Sequence, residues 1–215
     1  MKKSFNRWSL ILLTQIPLVV HAQGWRLQES GVDKILNDVC FVDSLRGWVV
    51  GHDGIILHTI TGGKTWMVQP GGTNKILLSV TFVDTLRGWA VGNHGLILHT
   101  EDGGHFWNAQ TSATNLNLSD VYFLNKDHGW AVAGLGTQGI LLETRDGGDT
   151  WQKTIDWNSG ALLSVHFVDD SVGWVVGTES LLDNFEDPLI LHTADGGKTW
   201  EEQPVSTTGP LLKVK

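Results

Sequence analysis

The chain has 215 residues, a formal net charge of −8, and 11 Trp and 26 Gly beside one Tyr and one Cys. An acidic chain without a basic run lacks the clustered Lys and Arg that nucleic-acid binding needs. A single cysteine excludes an internal disulfide framework.

Lys2, Lys3 and Arg7 precede a mostly apolar stretch from Trp8 to Val20, and Val20-His21-Ala22 offers small residues at the cleavage positions. This predicts a signal peptide over residues 1–22 and an exported mature chain from residue 23. Cys40 lies in the apolar run Val39-Cys40-Phe41-Val42 and reads as a buried small hydrophobe.

Beyond that point the chain repeats itself. Gly-Trp recurs at Gly47-Trp48, Gly88-Trp89, Gly129-Trp130 and Gly173-Trp174, and a second series runs Trp25, Trp66, Trp107, Trp151, Trp200. Both series keep a period of about 41 residues, slightly longer toward the end. One unit shows how it folds. Leu78, Val80 and Phe82 alternate with polar residues as in a half-buried strand. Trp89-Ala90-Val91 forms a second strand, Asn93-His94-Gly95 a turn, and Leu96 to Thr100 a third strand. Asp102-Gly103-Gly104 forms the next turn and Phe106 to Gln110 a fourth strand. Four short strands per unit of about 41 residues is the pattern of a β-propeller blade. The expected fold is therefore all-β, with four-stranded antiparallel blades in units near 32–70, 74–110, 116–154 and 161–203. A blade cannot bury both faces alone, so the repeated Trp is expected to pack one blade on the next.

The turn after each third strand carries S/T-x-D-x-G-x-T-W in two complete copies, Thr144 to Trp151 and Thr193 to Trp200. The copy at Thr100 to Trp107 has Phe106 for Thr, and the copy at Thr59 to Trp66 has Thr61 for Asp. This resembles the Asp-box, or BNR repeat, of sialidase-type propellers. Asp and Thr side chains hydrogen-bond turn backbone, and Gly supplies positive φ. The expected structural set is Asp102, Gly104, Trp107, Asp146, Gly148, Trp151, Asp195, Gly197, Trp200 and Trp66.

The flanking words Phe82-Val83-Asp84, Gly88-Trp89-Ala90-Val91-Gly92 and Gly95-Leu96-Ile97-Leu98-His99-Thr100, read with Asp102-Gly103-Gly104, resemble the photosystem II stability/assembly factor family over residues 25 to 203. That resemblance implies a seven-bladed propeller that binds and assists a protein partner, with a membrane-protein partner and a thylakoid lumen setting in photosynthetic members. A periplasmic or extracellular site is the expectation elsewhere. The family's binding face is Arg-rich, whereas the mature chain carries only Arg26, Arg46, Arg87 and Arg145.

An exported glycan-active hydrolase is the alternative. Sialidase chemistry needs three Arg and a Tyr paired with a Glu, but the one Tyr, Tyr122, repeats the slot of Thr81 and His166. Glycosidases such as xyloglucanases share the repeat and use a carboxylate pair. His58, His99 and His192 occupy one third-strand slot, which argues for packing, and no His spacing matches a metal site. No cofactor is expected. The candidate binding face gathers what departs from the repeat: His52 and His94 in the turns between second and third strands, and Glu179, Asp183, Phe185 and Glu186 in an insertion from Thr178 to Pro188. A smaller insertion, Ala133 to Gln138, falls at the same connection.

Seven such blades would need about 290 residues. Trp25 to Gln28 reads as a lone fourth strand and Leu211 to Val214 as a lone first strand. Either the sequence is a piece of a longer propeller, or the ring is open or completed by another chain; four blades left unclosed would expose apolar blade flanks that favour self-association.

Overall fold

The computed structural model describes residues 27–180, 186–206, 209 and 211–214. The signal-peptide segment, Trp25, Arg26 and residues 181–185, with Asp183 and Phe185 among them, lie outside the described residues. The protein is an all-β propeller, and the described residues form four four-stranded antiparallel sheets, each in sequential strand order. The first holds β1 (Leu36–Phe41), β2 (Gly47–Gly51), β3 (Ile56–Thr59) and β4 (Met67–Gln69). The second holds β5 (Leu77–Phe82), β6 (Gly88–Gly92), β7 (Ile97–Thr100) and β8 (Asn108–Gln110). The third holds β9 (Leu118–Phe123), β10 (Gly129–Leu135), β11 (Gln138–Thr144) and β12 (Gln152–Trp157). The fourth holds β13 (Gly160–Phe167), β14 (Gly173–Ser180), β15 (Glu186–Thr193) and β16 (Glu201–Glu202).

The two repeated dipeptide residues have separate jobs. A Cβ on Gly47, Gly88, Gly129 or Gly173 would meet the ring of Phe41, Phe82, Phe123 or Phe167 at 2.5–2.7 Å. Glycine is therefore required because the Phe of the adjacent strand lies across it. The Trp that follows reaches the next sheet instead. Trp48 stacks on Phe82 at 3.6 Å, Trp89 on Phe123 at 3.5 Å and Trp130 on Phe167 at 3.6 Å. Trp48 Nε1 donates to Gly103 O and Trp89 Nε1 to Gly147 O, which ties each indole to the turn between the third and fourth strands of the next sheet. On its other face Trp48 carries His58 and Trp89 carries His99, both nearly parallel. The shared His slot is a stacking slot, and burial holds both imidazoles below their ordinary pKa.

Three junction cores result. Trp48, Val50 and Ile56 meet Leu77, Val80 and Phe82, and Trp89, Val91 and Ile97 meet Leu118, Val121 and Phe123. Trp130, Val132 and Leu141 meet Leu162, Val165 and Phe167.

Several local expectations are corrected. The fourth strand of the second sheet starts at Asn108 rather than Phe106, because Phe106 N still belongs to the turn and donates to Asp102 Oδ1. The insertion after Thr178 is not a loop along its described length. β14 and β15 continue pairing through Thr178↔Pro188, Glu179↔Asp187 and Ser180↔Glu186, so Glu179 and Glu186 are strand residues. The smaller insertion likewise extends β10 and β11 to the pair Leu135↔Gln138. Cys40 is half-buried rather than buried, since it stands on β1 at the edge of a cavity.

Candidate functional site

The four first strands, β1, β5, β9 and β13, line a central cavity of about 310 Å³ together with Lys213 and Val214. Period-2 alternation turns one side chain of each strand along this rim. The residue three before the final Phe of each is polar: Asp38, Ser79, Asp120 and Ser164, continued by Lys213. They form one hydrogen-bonded chain. Ser79 Oγ lies 2.9 Å from both Asp38 Oδ2 and Asp120 Oδ1. Its one proton serves either contact, but not both at once. Ser164 Oγ donates to Asp120 Oδ2 at 2.6 Å, and Lys213 Nζ reaches Asp120 Oδ1 at 2.6 Å.

Backbone completes the pattern. Val80 N donates to Asp38 Oδ2, Val165 N to Asp120 Oδ2 and Val214 N to Ser164 Oγ. The rim residues of the first, third and fourth sheets thus accept a backbone N–H from the segment that follows, while Ser79 of the second is a donor. Asp120 is almost fully buried, and its four donors compensate that burial. Beyond this chain the cavity wall carries Cys40, Thr81, Tyr122 and His166. Tyr122 and His166 touch at 4.8 Å between ring centroids. Burial raises the Tyr122 pKa; it lowers that of His166 against the opposing pull of Asp120. Both are neutral at neutral pH, which suits hydrogen bonding more than charge chemistry.

The turn after each third strand lies on one rim of the sheets. Gly104, Gly148 and Gly197 each donate N–H to the Thr two positions before the turn Asp, at 2.8–2.9 Å. Asp102, Asp146 and Asp195 each accept the N–H four residues on, at 2.9–3.0 Å. Where Thr61 replaces Asp, its hydroxyl accepts Thr65 N at 3.0 Å. The turn carboxylates are thus spent on local backbone. Trp66, Trp107, Trp151 and Trp200 each meet the Phe of their own sheet edge to face, at 5.8–6.0 Å.

The opposite rim carries His52, His94 and Glu179. His52 opens a turn of 3-10 helix at His52–Gly54, while His94 is central in the turn Asn93–Gly95 with φ 56. The two histidines therefore sit one position apart in the repeat, and His94 aligns with Asp53, whose φ is 57. His94 N is held by Asn117 Oδ1. Burial, then Glu202 and Asp187, raise the Glu179 pKa. Among the described residues no hydrogen bond or ion pair links His52, His94 and Glu179, so the structure places them on one rim without joining them. Arg46, Arg87 and Arg145 lie elsewhere, each paired with an acid: Asp43, Asp84 and Glu143.

The rim chain was legible only as alternating polarity. Its signal is the spacing, because Asp38, Ser79, Asp120, Ser164 and Lys213 keep the step of the Trp series. A glutamine series was equally regular. Gln69 Nε2 donates to Gly103 O and Gln110 Nε2 to Gly147 O, and Gln28 reaches Gly62 O at 3.5 Å. His128 also went unmarked; it is buried between Glu143 Oε1 and Asp170 Oδ1, each at 2.9 Å. Among the described residues no cluster of three or more His, Cys, Asp or Glu is disposed to hold a metal.

Known proteins share this arrangement. YCF48 bound to D1 peptide superposes with a TM-score of 0.64 at 21% identity, over 84% of this chain and 57% of that one. The chain thus spans little more than half the length of that relative. YCF48 from Cyanidioschyzon merolae gives a TM-score of 0.53 at 18% identity, over 86% of this chain and 90% of that one. The GH74 xyloglucanase from Xanthomonas campestris gives 0.56 at 14% identity, over 73% of this chain and 28% of that one. Among curated protein sequences there is no match. The family model of the photosynthesis system II assembly factor YCF48 matches residues 18–116 and 105–211. With nearly all of the repeat region covered by that model, the chain belongs to the YCF48 assembly-factor family.

Proposed function

We propose that the chain is a non-catalytic, exported propeller that binds a segment of a partner protein and assists its assembly. Export rests on the segment over residues 1–22, and the partner is a protein, as the D1 peptide is for YCF48. The observation that carries this reading is the state of the acids. Asp120 in the cavity takes Ser79, Ser164, Lys213 and Val165, and the turn acids take backbone N–H groups, so these carboxylates are committed to structure. A catalytic acid or base needs a carboxyl free to reach substrate. The test is calorimetric titration of the purified chain with D1 peptide, beside assays of sugar release from xyloglucan. Binding without sugar release is the expected result. Release that disappears in both Asp38→Asn and Asp120→Asn would overturn it.

One observation favours a glycosidase as the second reading. Asp38 and Asp120 converge on the same Ser79 hydroxyl, which brings two carboxylates close together inside a cavity. Retaining glycosidases use carboxyl groups about 5 Å apart. The same xyloglucan assay decides it.

A further inference from the structure

Neighbouring sheets are clasped together on the rim of the turns that follow the third strands, and the clasp changes its chemistry along the chain. Gln69 Nε2 of the first sheet donates to Gly103 O of the second, and Gln110 Nε2 of the second donates to Gly147 O of the third. These amide donors do not titrate. In the third sheet a bulge in β12 sets Ile155 opposite Leu141, where Gln69 stands opposite Ile56 and Gln110 opposite Ile97. A Cβ on Gly104 or Gly148 would strike the Gln of the sheet before it, whereas on Gly197 it would first meet Trp200 and Phe167 of its own sheet.

His128 makes the crossing from the third sheet to the fourth, and four positions differ together around it. His128 stands where the earlier loops have Arg46 and Arg87, and Asn125 stands where they have Asp43 and Asp84. Glu143 is paired with Trp130 where His58 and His99 are paired with, and stacked on, Trp48 and Trp89. Asp170 stands in the fourth sheet's loop where the second and third have Thr85 and Lys126. The His128 ring lies over Trp130 with 4.0 Å between centroids and is almost fully buried. Its Nε2 is 2.9 Å from Glu143 Oε1 and its Nδ1 is 2.9 Å from Asp170 Oδ1.

A neutral imidazole has one N–H and one lone pair, so between two carboxylates it satisfies one and turns a lone pair on the other. Both contacts are hydrogen bonds when the ring carries both protons. The other charges at this junction are engaged elsewhere. Arg145 Nη2 reaches Glu143 Oε1 at 2.6 Å, Lys126 pairs with Asp127, and Asp169 accepts Ser171 N and Val172 N.

We propose that the junction between the third and fourth sheets is a pH-sensitive clasp, closed while His128 carries both ring protons and loosened when it loses one. The two charge-assisted bonds exist in the folded chain alone, so their contribution is present at low pH and is lost as pH rises through the titration of the ring. The other two junctions, held by amides, have no proton of this kind to lose. This inference is independent of the partner-binding reading.

Urea denaturation of the purified chain and of Asp170→Asn tests it, at about pH 5 and about pH 9, on either side of ordinary imidazole titration. The Asp170 side chain is 72% exposed, so the substitution leaves the core intact. An Asn amide can donate to Nδ1 while a neutral ring donates to Glu143, which satisfies both nitrogens without the second proton. From the lower pH to the higher, the unsubstituted chain should lose stability relative to Asp170→Asn by about ten-fold in the folding equilibrium, the scale of one charge-assisted hydrogen bond. His58, His99 and His166 are common to both forms, so their titration cancels in the comparison. Gln110→Ala, which removes an amide clasp, should cost the same at both pH values. Nitrogen-15 NMR should find both His128 ring nitrogens protonated at about pH 5. A gap from Asp170→Asn that stays constant or moves the other way, an equal pH response in Gln110→Ala, or a singly protonated ring at the lower pH would overturn the proposal.

Discussion

β1 and β5 have nearly the same pattern of residues and very different surroundings. Val39 is 49% exposed and its counterpart Val80 is 4% exposed; Phe41 is 45% exposed and Phe82 is 7% exposed. Both strands pair with a second strand in the same register, including a shift after the first residue. The difference comes from the neighbour. β5 faces Trp48, Val50 and Ile56, whereas β1 faces no sheet among the described residues. Strand formation here is local, and burial is supplied by the adjacent blade. In a repeat protein, stability divides into a term for each unit and a term for each interface. The same side chain is then worth little in one copy and much in the next.

The comparison breaks most sharply at the aromatic slot. Phe123→Ala removes a ring buried between Trp89 and Trp151, and should destabilise by about 3–5 kcal/mol through lost transfer energy and a cavity. Phe41→Ala removes a half-exposed ring and should cost about 1 kcal/mol in the monomer. Urea denaturation of both variants checks this, and equal losses would sink the account of burial by neighbours. Next comes the rim slot. Asp120→Ala strands Lys213 and several buried donors and should cost about 3 kcal/mol. Asp38→Ala, half-exposed and with fewer donors, should cost about 1 kcal/mol. The glycine slot gives a smaller contrast. A Cβ at Gly129 meets the buried Phe123 ring at 2.6 Å, so Gly129→Ala should cost about 1–3 kcal/mol by overpacking. Gly47→Ala meets Phe41 at 2.7 Å, but that ring can swing toward solvent, and the loss in the same assay should be well under half as large.

Residues that act through shape repeated visibly, and residues that act through a hydrogen bond did not. Gly47 and Trp48 recur unchanged through the later sheets because only glycine clears the Phe ring and only an indole spans the junction. Any donor or acceptor of the right reach can serve the rim, so its slot reads Asp, Ser, Asp, Ser, Lys and conceals its own periodicity. The turn shows the same tolerance, since the hydroxyl of Thr61 does the work of a carboxylate. His128 takes the slot that holds Arg46 and Arg87, but Asn125 stands where those loops have Asp43 and Asp84, and His128 reaches Glu143 and Asp170 instead. Such a change of partner depends on which strands lie alongside, and one sequence does not state that. The insertion after Thr178 misled for a related reason: extra residues between two strands look like a loop until their pairing is seen.

The smallest contrast separates the first turn from the last, and pH exposes it. In the last turn Asp195 accepts Thr199 N and the Thr199 hydroxyl. The Thr199 hydroxyl first, then its backbone N–H, hold the Asp195 pKa down, from the usual 3.8 to about 2. A carboxylate with a depressed folded-state pKa contributes stability above its unfolded value and loses it as pH falls through the folded one. That contribution should be intact above about pH 4 and gone below about pH 2. Asp195 is solvent-exposed, so the effect belongs to the turn and not to global unfolding. The first turn offers an internal control. Its acceptor for Thr65 N is the Thr61 hydroxyl, which does not titrate in this range. Amide exchange at Thr199 N, taken relative to Thr65 N, should therefore accelerate between pH 4 and pH 2. If the two amides kept a constant ratio across that window, the carboxylate would not be what holds the last turn.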